Sequence, residues 1–245
     1  MLSKKEQKYI QSLKIKKYRS REKRFLVEGE KNVLEFLSSD YEIDLILSTE
    51  EFSSRLSEVS GERRVELISG KLLSQLGNFK TNETCLAVVL QKELANAAKQ
   101  EDDHLFILDG IGDPGNLGTI IRTLDWFGYN ELICSPDCAE FYHPKTIAST
   151  MGSFTRVDVQ YRDLVAYLQG VDAPVYGADM KGLNLFKTSF DTPSIIVMGS
   201  ESHGISPEVQ GQLTNQVSIP KVGNTESLNV GVATGIIAGY LRNAR

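Results

Sequence analysis

From Leu105 to the C-terminus the sequence alternates short apolar runs with amphipathic ones, and this alternation restricts the fold more than any other feature. LFILDG reads as a buried strand, GNLGTIIRTLDWFG as a helix and ELICS as a strand. HPKTIASTMGSF reads as a short helix, YRDLVAYLQG as a helix, and VYGADM and SIIVMG as strands. SPEVQGQL follows as a helix, VSIPK as a strand or loop, and the stretch from Ser227 onward as the final helix. Such alternation implies a mostly parallel sheet covered on both faces. In sheets of that kind ligands bind beyond the carboxyl ends of the strands. Two glycine-rich turns stand there, DGIGDPGNLG after the first strand and GSESHG after IIVM.

The first part reads as a smaller α/β unit. KKEQKYIQSLK is helical, RFLVEG a short strand and EKNVLEFLSS a helix. EIDLILST and RRVELIS are strands by their apolar and β-branched content, GKLLSQLGN a short helix and CLAVVL a strand. Then QKELANAAKQEDD turns polar and charged between two apolar strands, which places a domain boundary near residues 92–103. The expected domains are 1–95 and 102–245, and 245 residues suffice for both to have a core.

Several function classes fall away. No apolar run approaches the roughly 18–20 residues that span a bilayer, and MLSKKEQKYI lacks an apolar signal core. A cytoplasmic location is expected, and no membrane partner. Cys85, Cys134 and Cys138 are too few for a disulfide framework, and no second pair completes a metal site around Cys134 and Cys138. Free thiols and no metal are expected. Neither glycine loop carries the Gly-Lys-Ser/Thr of a phosphate-binding P-loop, and Pro114 interrupts DGIGDPG as a dinucleotide fingerprint. His104, His143 and His203 lack a G-x-S-x-G nucleophile elbow, and His203 reads as a loop residue.

Charge is distributed unevenly. The chain carries a net −5, yet residues 1–31 hold 11 Lys and Arg against 4 Glu. That leaves 16 bases against 28 acids in the remainder. A basic arm on an acidic body is either a local polyanion-binding surface or a solvated, lysine-rich helix. The helix after DPGN carries a second ambiguity. At 100° per residue, Leu117, Ile120, Ile121, Leu124, Phe127 and Gly128 share one face, while Arg122 lies opposite with Thr119, Trp126 and Tyr129. An arginine between aromatics fits an interface or polyanion-binding stripe, or a second buried face packed on a neighbouring helix.

Three segments then fit together. They are NLGTIIRTLDWFGY, with Asn116 opening a helix and Arg122 six residues on; IIVMGSESHGIS, a strand followed by Gly-x-Glu-x-x-Gly; and SIPKVGNTESLNVGVATGIIAGY, where Ser227, Leu228 and Asn229 open the last helix. In this order and spacing they resemble the SpoU (TrmH-type) RNA ribose 2′-O-methyltransferases of the SPOUT superfamily over about residues 105–245. RFLVEGEKNVLEFL is similar to the start of the small ribosomal-protein-like RNA-binding domain that many members carry N-terminally.

The resemblance implies a parallel α/β domain tied in a trefoil knot, an exception to the usual rules of chain threading. It implies S-adenosylmethionine as methyl donor and a homodimer with its sites near the subunit interface. Carried over by position, Gly199, Ile219 and Leu228 contact the cofactor, with Ala178 a further wall of the pocket. Glu201, Ser227 and Asn229 form the polar frame, and Asn116 with Arg122 the RNA-facing catalytic pair. Because a guanidinium keeps its charge in proteins, Arg122 is expected to hold a phosphate and stabilise developing alkoxide charge rather than act as base. Taken alone, Ser227 also reads as a simple N-cap and Asn229 as a first-turn polar residue. Two positions depart mildly from the family pattern: Ser200 stands where Asn is common, and Gly231 where Ser is frequent. Neither is a catalytic position.

The expected reaction is methyl transfer to a ribose 2′-hydroxyl of structured RNA, ribosomal RNA ahead of transfer RNA, with DNA excluded for want of that hydroxyl. Lys14, Lys16, Lys17, Arg19, Arg21, Lys23 and Arg24 are expected to contact phosphates. The competing reading is a non-catalytic RNA-binding assembly factor that retains the fold; a small-molecule α/β enzyme fits the basic arm less well.

Overall fold

The computed structural model of the protein describes residues 2–57, 61–92 and 103–243. The chain divides into two compact units, Met1–Glu93 with Tyr142–Thr155, and Leu94–Phe141 with Arg156–Arg245. Most of the polar stretch expected as a linker, residues 93–102, lies outside the described residues.

The first unit is built on a four-stranded sheet of β1 (Arg24–Glu28), β2 (Ile43–Ser48), β3 (Val65–Leu67) and β4 (Cys85–Leu90), in the order β1-β4-β2-β3. Strand β4 runs antiparallel to both neighbours, and β2 and β3 are parallel. The basic arm is not one helix but two, α1 (Lys4–Ser12) and α2 (Lys16–Glu22). Ser3 and Glu6 close a reciprocal capping box on α1. Arg19 of α2, at 1% exposure, turns its side chain back to the corner between them, its Nη1 donating to the carbonyls of Leu13 at 3.0 Å and Lys14 at 2.7 Å. This corrects its expected role: a buried guanidinium spent on two backbone carbonyls is withheld from phosphate. Helices α3 (Glu30–Leu37), α4 (Glu50–Ser57) and α5 (Gly70–Leu76) complete the layer. Helix α4 was not legible in EEFSSRLS, which carries only two apolar positions.

One face of this sheet buries Leu26, Leu45, Leu47, Leu86 and Val88 against Ile10, Leu13, Leu73 and Leu76 of the helical side. The alternate residue Phe25 points the other way into an aromatic cluster with Phe36 and Tyr41. Tyr142 and Phe154, distant in sequence, complete that cluster with centroids 4.7 and 5.7 Å from Phe25. Tyr142 precedes α6 (Pro144–Thr150), and Phe154 lies within a 3-10 turn at Ser153–Thr155. Strand–helix alternation gave no sign that this segment belongs to the first unit's core.

Among the described residues the second unit holds six strands, all parallel: β5 (Leu105–Asp109), β6 (Glu131–Cys134), β7 (Asp158–Tyr161), β8 (Val175–Asn184), β9 (Ile195–Gly199) and β10 (Asn215–Ser218). Their order is β10-β8-β9-β5-β6-β7. One sheet face carries Ile107, Ile133, Val175, Ile195 and Val197 against Leu164 and Leu168 of α7 (Leu164–Gln169) and Val209 of α8 (Pro207–Gln210). Phe106, Leu108, Ile196 and Met198 alternate onto the opposite face and are equally buried. That face is the side of the helix at Pro114–Trp126, called α9 here, and of α10 (Val230–Asn243), which pack on each other. Leu117, Ile120, Ile121 and Leu124 of α9 are buried as its periodicity requires. Strand β7 is an addition to the sequence reading, β8 runs past VYGADM to Asn184, and α10 starts three residues later than expected. No helix among the described residues is long and apolar enough to cross a membrane.

Candidate active site

The loops after β5, β9 and β10 open at the carboxyl edge of the parallel sheet, and each is fixed by a specific local device. After β5 the chain turns at Gly110, with φ at +70°, and the Gly110 N–H donates to Ser135 Oγ at 2.9 Å. The Ile111 N–H donates to Cys138 Sγ at 3.2 Å. Asp113 then caps α9, its Oδ1 accepting from the Asn116 N–H at 2.9 Å, with Pro114 at the first helical position. After β9, Ser200 and Gly204 exchange two backbone hydrogen bonds at 2.8 and 2.9 Å. Gly199 must be glycine here, because a Cβ would lie 2.2 Å from the Gly204 carbonyl carbon. Asp109 Oδ2 accepts from the Ser206 N–H at 2.6 Å and ties this turn to the end of β5.

These anchors bring Asn116, Glu201 and Asn229 into one cluster. Asn116 Nδ2 donates to both carboxylate oxygens of Glu201 at 3.0 Å. Asn229 Nδ2 donates to Glu201 Oε1 at 2.9 Å and to Asn116 Oδ1 at 3.0 Å. The Val230 N–H also reaches Glu201 Oε1, at 3.3 Å. Asn229 Oδ1 meanwhile accepts from the N–H groups of Gly231 and Val232, so Asn229 is the N-cap of α10. An ionised carboxylate only accepts, which fixes the orientation of both amides. Three segments separated by up to 113 residues are thus braced by side chains that largely satisfy one another.

The other expected residues are placed differently. Ser227 lies outside the helix, exposed, its carbonyl accepting from Thr225 Oγ1 at 3.3 Å. The alternative of Ser227 as N-cap is therefore corrected: the cap is two residues on. Arg122 is exposed on α9 and has no hydrogen-bond or ion-pair partner among the described residues. Six residues past Asn116, it lies about 240° around and about 9 Å along the helix, and it does not join the cluster within one chain. Trp126, one turn further, is 85% exposed. Ala178 on β8 and Ile219 after β10 are half-buried, and Leu228 is 42% exposed. In the first unit Lys16, Lys17, Arg21 and Lys23 are exposed. Arg24 pairs with Asp44, Arg21 with Glu22 at 2.7 Å, and Lys14 Nζ donates to the Gln75 carbonyl at 2.9 Å.

Sequence reasoning missed Asp109, Asp113 and the Ser135–Cys138 anchor. The Asp-Pro pair was a readable cap signal; the others act through backbone groups that leave no spacing pattern. Residues 219–229 also present apolar groups to solvent, Val222 at 99% exposure besides Leu228. Apolar side chains held open beside a polar brace suit a ligand with an aromatic ring and a polar tail, and S-adenosylmethionine fits that donor set.

Fold and site together define an α/β enzyme whose working loops lie outside the carboxyl ends of parallel strands. The family model for the SpoU rRNA methylase family matches residues 103–239, and that for an MRM3-like substrate binding domain matches residues 4–87. The chain belongs to the SpoU family of RNA methyltransferases. Among its relatives, the Bacillus subtilis 23S rRNA (guanosine(2553)-2′-O)-methyltransferase is 30% identical, over 94% of this chain and 93% of its own. The 23S rRNA (guanosine-2′-O-)-methyltransferase of Acinetobacter baylyi is 34% identical over 61% of this chain and 63% of its own. A solved structure described as a putative RNA methyltransferase of the TrmH family from Porphyromonas gingivalis superposes with a TM-score of 0.88 at 34% identity, each chain fully covered. An S-adenosylmethionine-bound rRNA methyltransferase from Sinorhizobium meliloti gives 0.86 at 25% identity, over 99% of this chain and 97% of its own.

Proposed function

We propose that this RNA methyltransferase transfers a methyl group from S-adenosylmethionine to a ribose 2′-hydroxyl of ribosomal RNA. The observation that carries the reading is the Asn116–Glu201–Asn229 brace, which joins the three family segments at one edge of the sheet. Ala178, Gly199, Ile219 and Leu228 would hold the cofactor by apolar contact and backbone groups. Bound there, S-adenosylmethionine supplies a methyl carbon on a positively charged sulfur. The chain's own task is positioning: a 2′-oxygen aligned with that carbon reacts without further covalent help from the protein.

Within that scheme Glu201 and Asn229 are positioning residues. They fix the Asn116 side chain and the start of α10, so that the loop of Ser227 and Leu228 leaves the helix from a constant point. Asn116 faces the RNA from the first turn of α9. Arg122, free of partners among the described residues, binds a phosphate and stabilises charge developing on the 2′-oxygen. Because Arg122 does not reach the brace of its own chain, we place it at a homodimer contact formed by the exposed α9 face around Thr119, Arg122 and Trp126. The knotted threading implied by the family belongs to the same reading. The domains in this reading are a substrate-binding one over 1–95 and a methyltransferase one over 102–245. Lys14, Lys16, Lys17, Arg21, Lys23 and Arg24 supply phosphate contacts from the first.

The test is transfer of labelled methyl from S-adenosylmethionine to separated, unmodified ribosomal and transfer RNA, with Arg122→Ala alongside. Label on ribosomal RNA that survives as an alkali-resistant dinucleotide and disappears in the variant is the expected result. Label on transfer RNA alone would move the substrate class. No label on either, with cofactor still bound, would replace the enzyme reading by that of an assembly factor.

A further inference from the structure

In the first unit a groove of 520 Å³ is lined by Lys14, Lys71, Lys80 and the short polar residues between them. Among the described residues its charged lining groups are all lysines. Lys71 and Lys80 are exposed and have no hydrogen-bond or ion-pair partner among the described residues. We propose that this groove grips the sugar–phosphate backbone of the RNA substrate. The proposal rests on the reading of the chain as an RNA methyltransferase and adds to it a site containing two residues outside the basic arm.

The groove is built, not a chance meeting of surface lysines. Lys14 sits on the corner between α1 and α2 whose carbonyls the buried Arg19 holds at 2.7 and 3.0 Å. Lys71 stands on α5, capped by Ser69. Lys80 stands on the turn after α5, and that turn is clamped from below by the buried carboxylate of Glu28. Glu28 accepts from the Asn78 N–H and Nδ2, both at 2.8 Å, and from the Phe79 N–H at 3.2 Å. Gly77 makes room for it, since a Cβ there would lie 2.3 Å from Glu28 Oε2. Beyond Lys80 the buried Asn82 continues the clamp, donating to the Cys85 carbonyl at 2.8 Å. The Glu28 charge is turned onto the N–H groups of Asn78 and Phe79, while Lys71 and Lys80 stay exposed and Lys14 Nζ donates to the Gln75 carbonyl at 2.9 Å.

The lining decides the ligand class. Among the described residues no aromatic side chain lines the groove, so a base has nothing there to stack on, and three ammonium groups recognise charge without reading sequence. A groove of this size accommodates a stretch of backbone. Phosphate contacts set register and orientation and leave sequence choice to other surfaces.

The experiment measures affinity of the full chain for unmodified ribosomal RNA transcribed in vitro, as a function of salt. Each phosphate contact contributes roughly 0.7–0.9 to the slope of log K against log salt. Lys71→Gln with Lys80→Gln is expected to lower the slope by roughly 1.5 and weaken binding roughly tenfold near 0.1 M salt. Lys71→Arg with Lys80→Arg should restore both. Lys4→Gln with Lys8→Gln, which removes the same charge from α1 outside the groove, should leave the slope within error of the parent. An unchanged slope in the groove variant, or an equal loss in the α1 variant, would overturn the proposal. If the parent methylates this RNA while the groove variant keeps its slope, only the groove fails. If the parent neither binds nor methylates it, the broader reading fails first.

Discussion

The brace at the sheet edge can be tested by removing its acceptor in two grades. Glu201 takes three N–H donors from Asn116, Asn229 and Val230 at 2.9–3.3 Å. Hydrogen bonds to a charged group contribute about 1.5–3 kcal/mol each when sheltered. Glu201 is exposed, water competes, and about 1 kcal/mol per donor is the better figure here. Glu201→Ala then loosens the brace by about 3 kcal/mol, which is roughly 100–200-fold in rate if the brace sets the geometry of attack. Glu201→Gln keeps an acceptor of the same shape but not its charge, forfeits about half of that, and slows transfer roughly tenfold. The assay is single-turnover methyl transfer at saturating cofactor, with thermal unfolding alongside. At about 2–4 °C per kcal/mol, the melting temperature should fall by roughly 6–12 °C in Glu201→Ala and by about half of that in Glu201→Gln. Transfer in Glu201→Ala within threefold of the parent would refute a positioning role. Equal losses in Ala and Gln would refute it differently, by showing that the charge itself serves the chemistry.

Other consequences are as specific. Arg122→Lys should lose most of its transfer rate while the cofactor dissociation constant stays within twofold, because a point charge replaces a two-pronged donor; a near-parental rate would count against phosphate binding by both prongs. Arg242 pairs with the buried Asp103 at 2.6 Å, donates to the Gly128 carbonyl at 2.9 Å and lies 3.8 Å above the Tyr129 ring. Arg242→Met should therefore cost about 3 kcal/mol, or roughly 6–12 °C in a thermal melt followed by circular dichroism. Gly199→Ala, which forces a Cβ against the Gly204 backbone, should destabilise by about 1–3 kcal/mol in urea unfolding and weaken cofactor binding. The Cys138 thiol is pulled down to about 7 by the hydrogen bond from Cys134, helped by Ser135 and the Ile111 N–H against burial. Burial pushes Cys134 up, so the proton stays on that partner. A folded value below the ordinary 9.0 means the thiolate stabilises the fold above pH 9, and that contribution is lost as pH falls through 7. Thiolate absorbance should titrate near pH 7 and move upward in Cys134→Ala.

How much of this was legible depended on whether the information lay in a period or in a partner. The second unit's parallel sheet was readable because strands buried on both faces must be apolar runs, and the helices between them repeat their own period. The three site segments were legible through their order and spacing, which resemble those of the family; Gly199 under its tight turn and Asn229 at a helix start then meet local requirements there. Arg19 was misread for the complementary reason. Its sequence neighbours Lys17, Tyr18, Ser20 and Arg21 are mostly polar, and nothing local says that its guanidinium turns inward to the Leu13 and Lys14 carbonyls. Ser227 and Asn229 are both good caps, and the choice between them was made by Glu201, 28 residues upstream of Asn229. The same holds for Tyr142 and Phe154, whose place beside Phe25 is a contact across more than a hundred residues. Lysine charge shows in a sequence count, but which lysines share a groove depends on buried clamps such as Glu28 and Arg19. The count drew attention to residues 1–31, whereas two of the three groove lysines stand on α5 and the turn after it. A polar residue's role in this chain is therefore set by what it is turned toward, and the two buried charges do their work by aiming other groups outward.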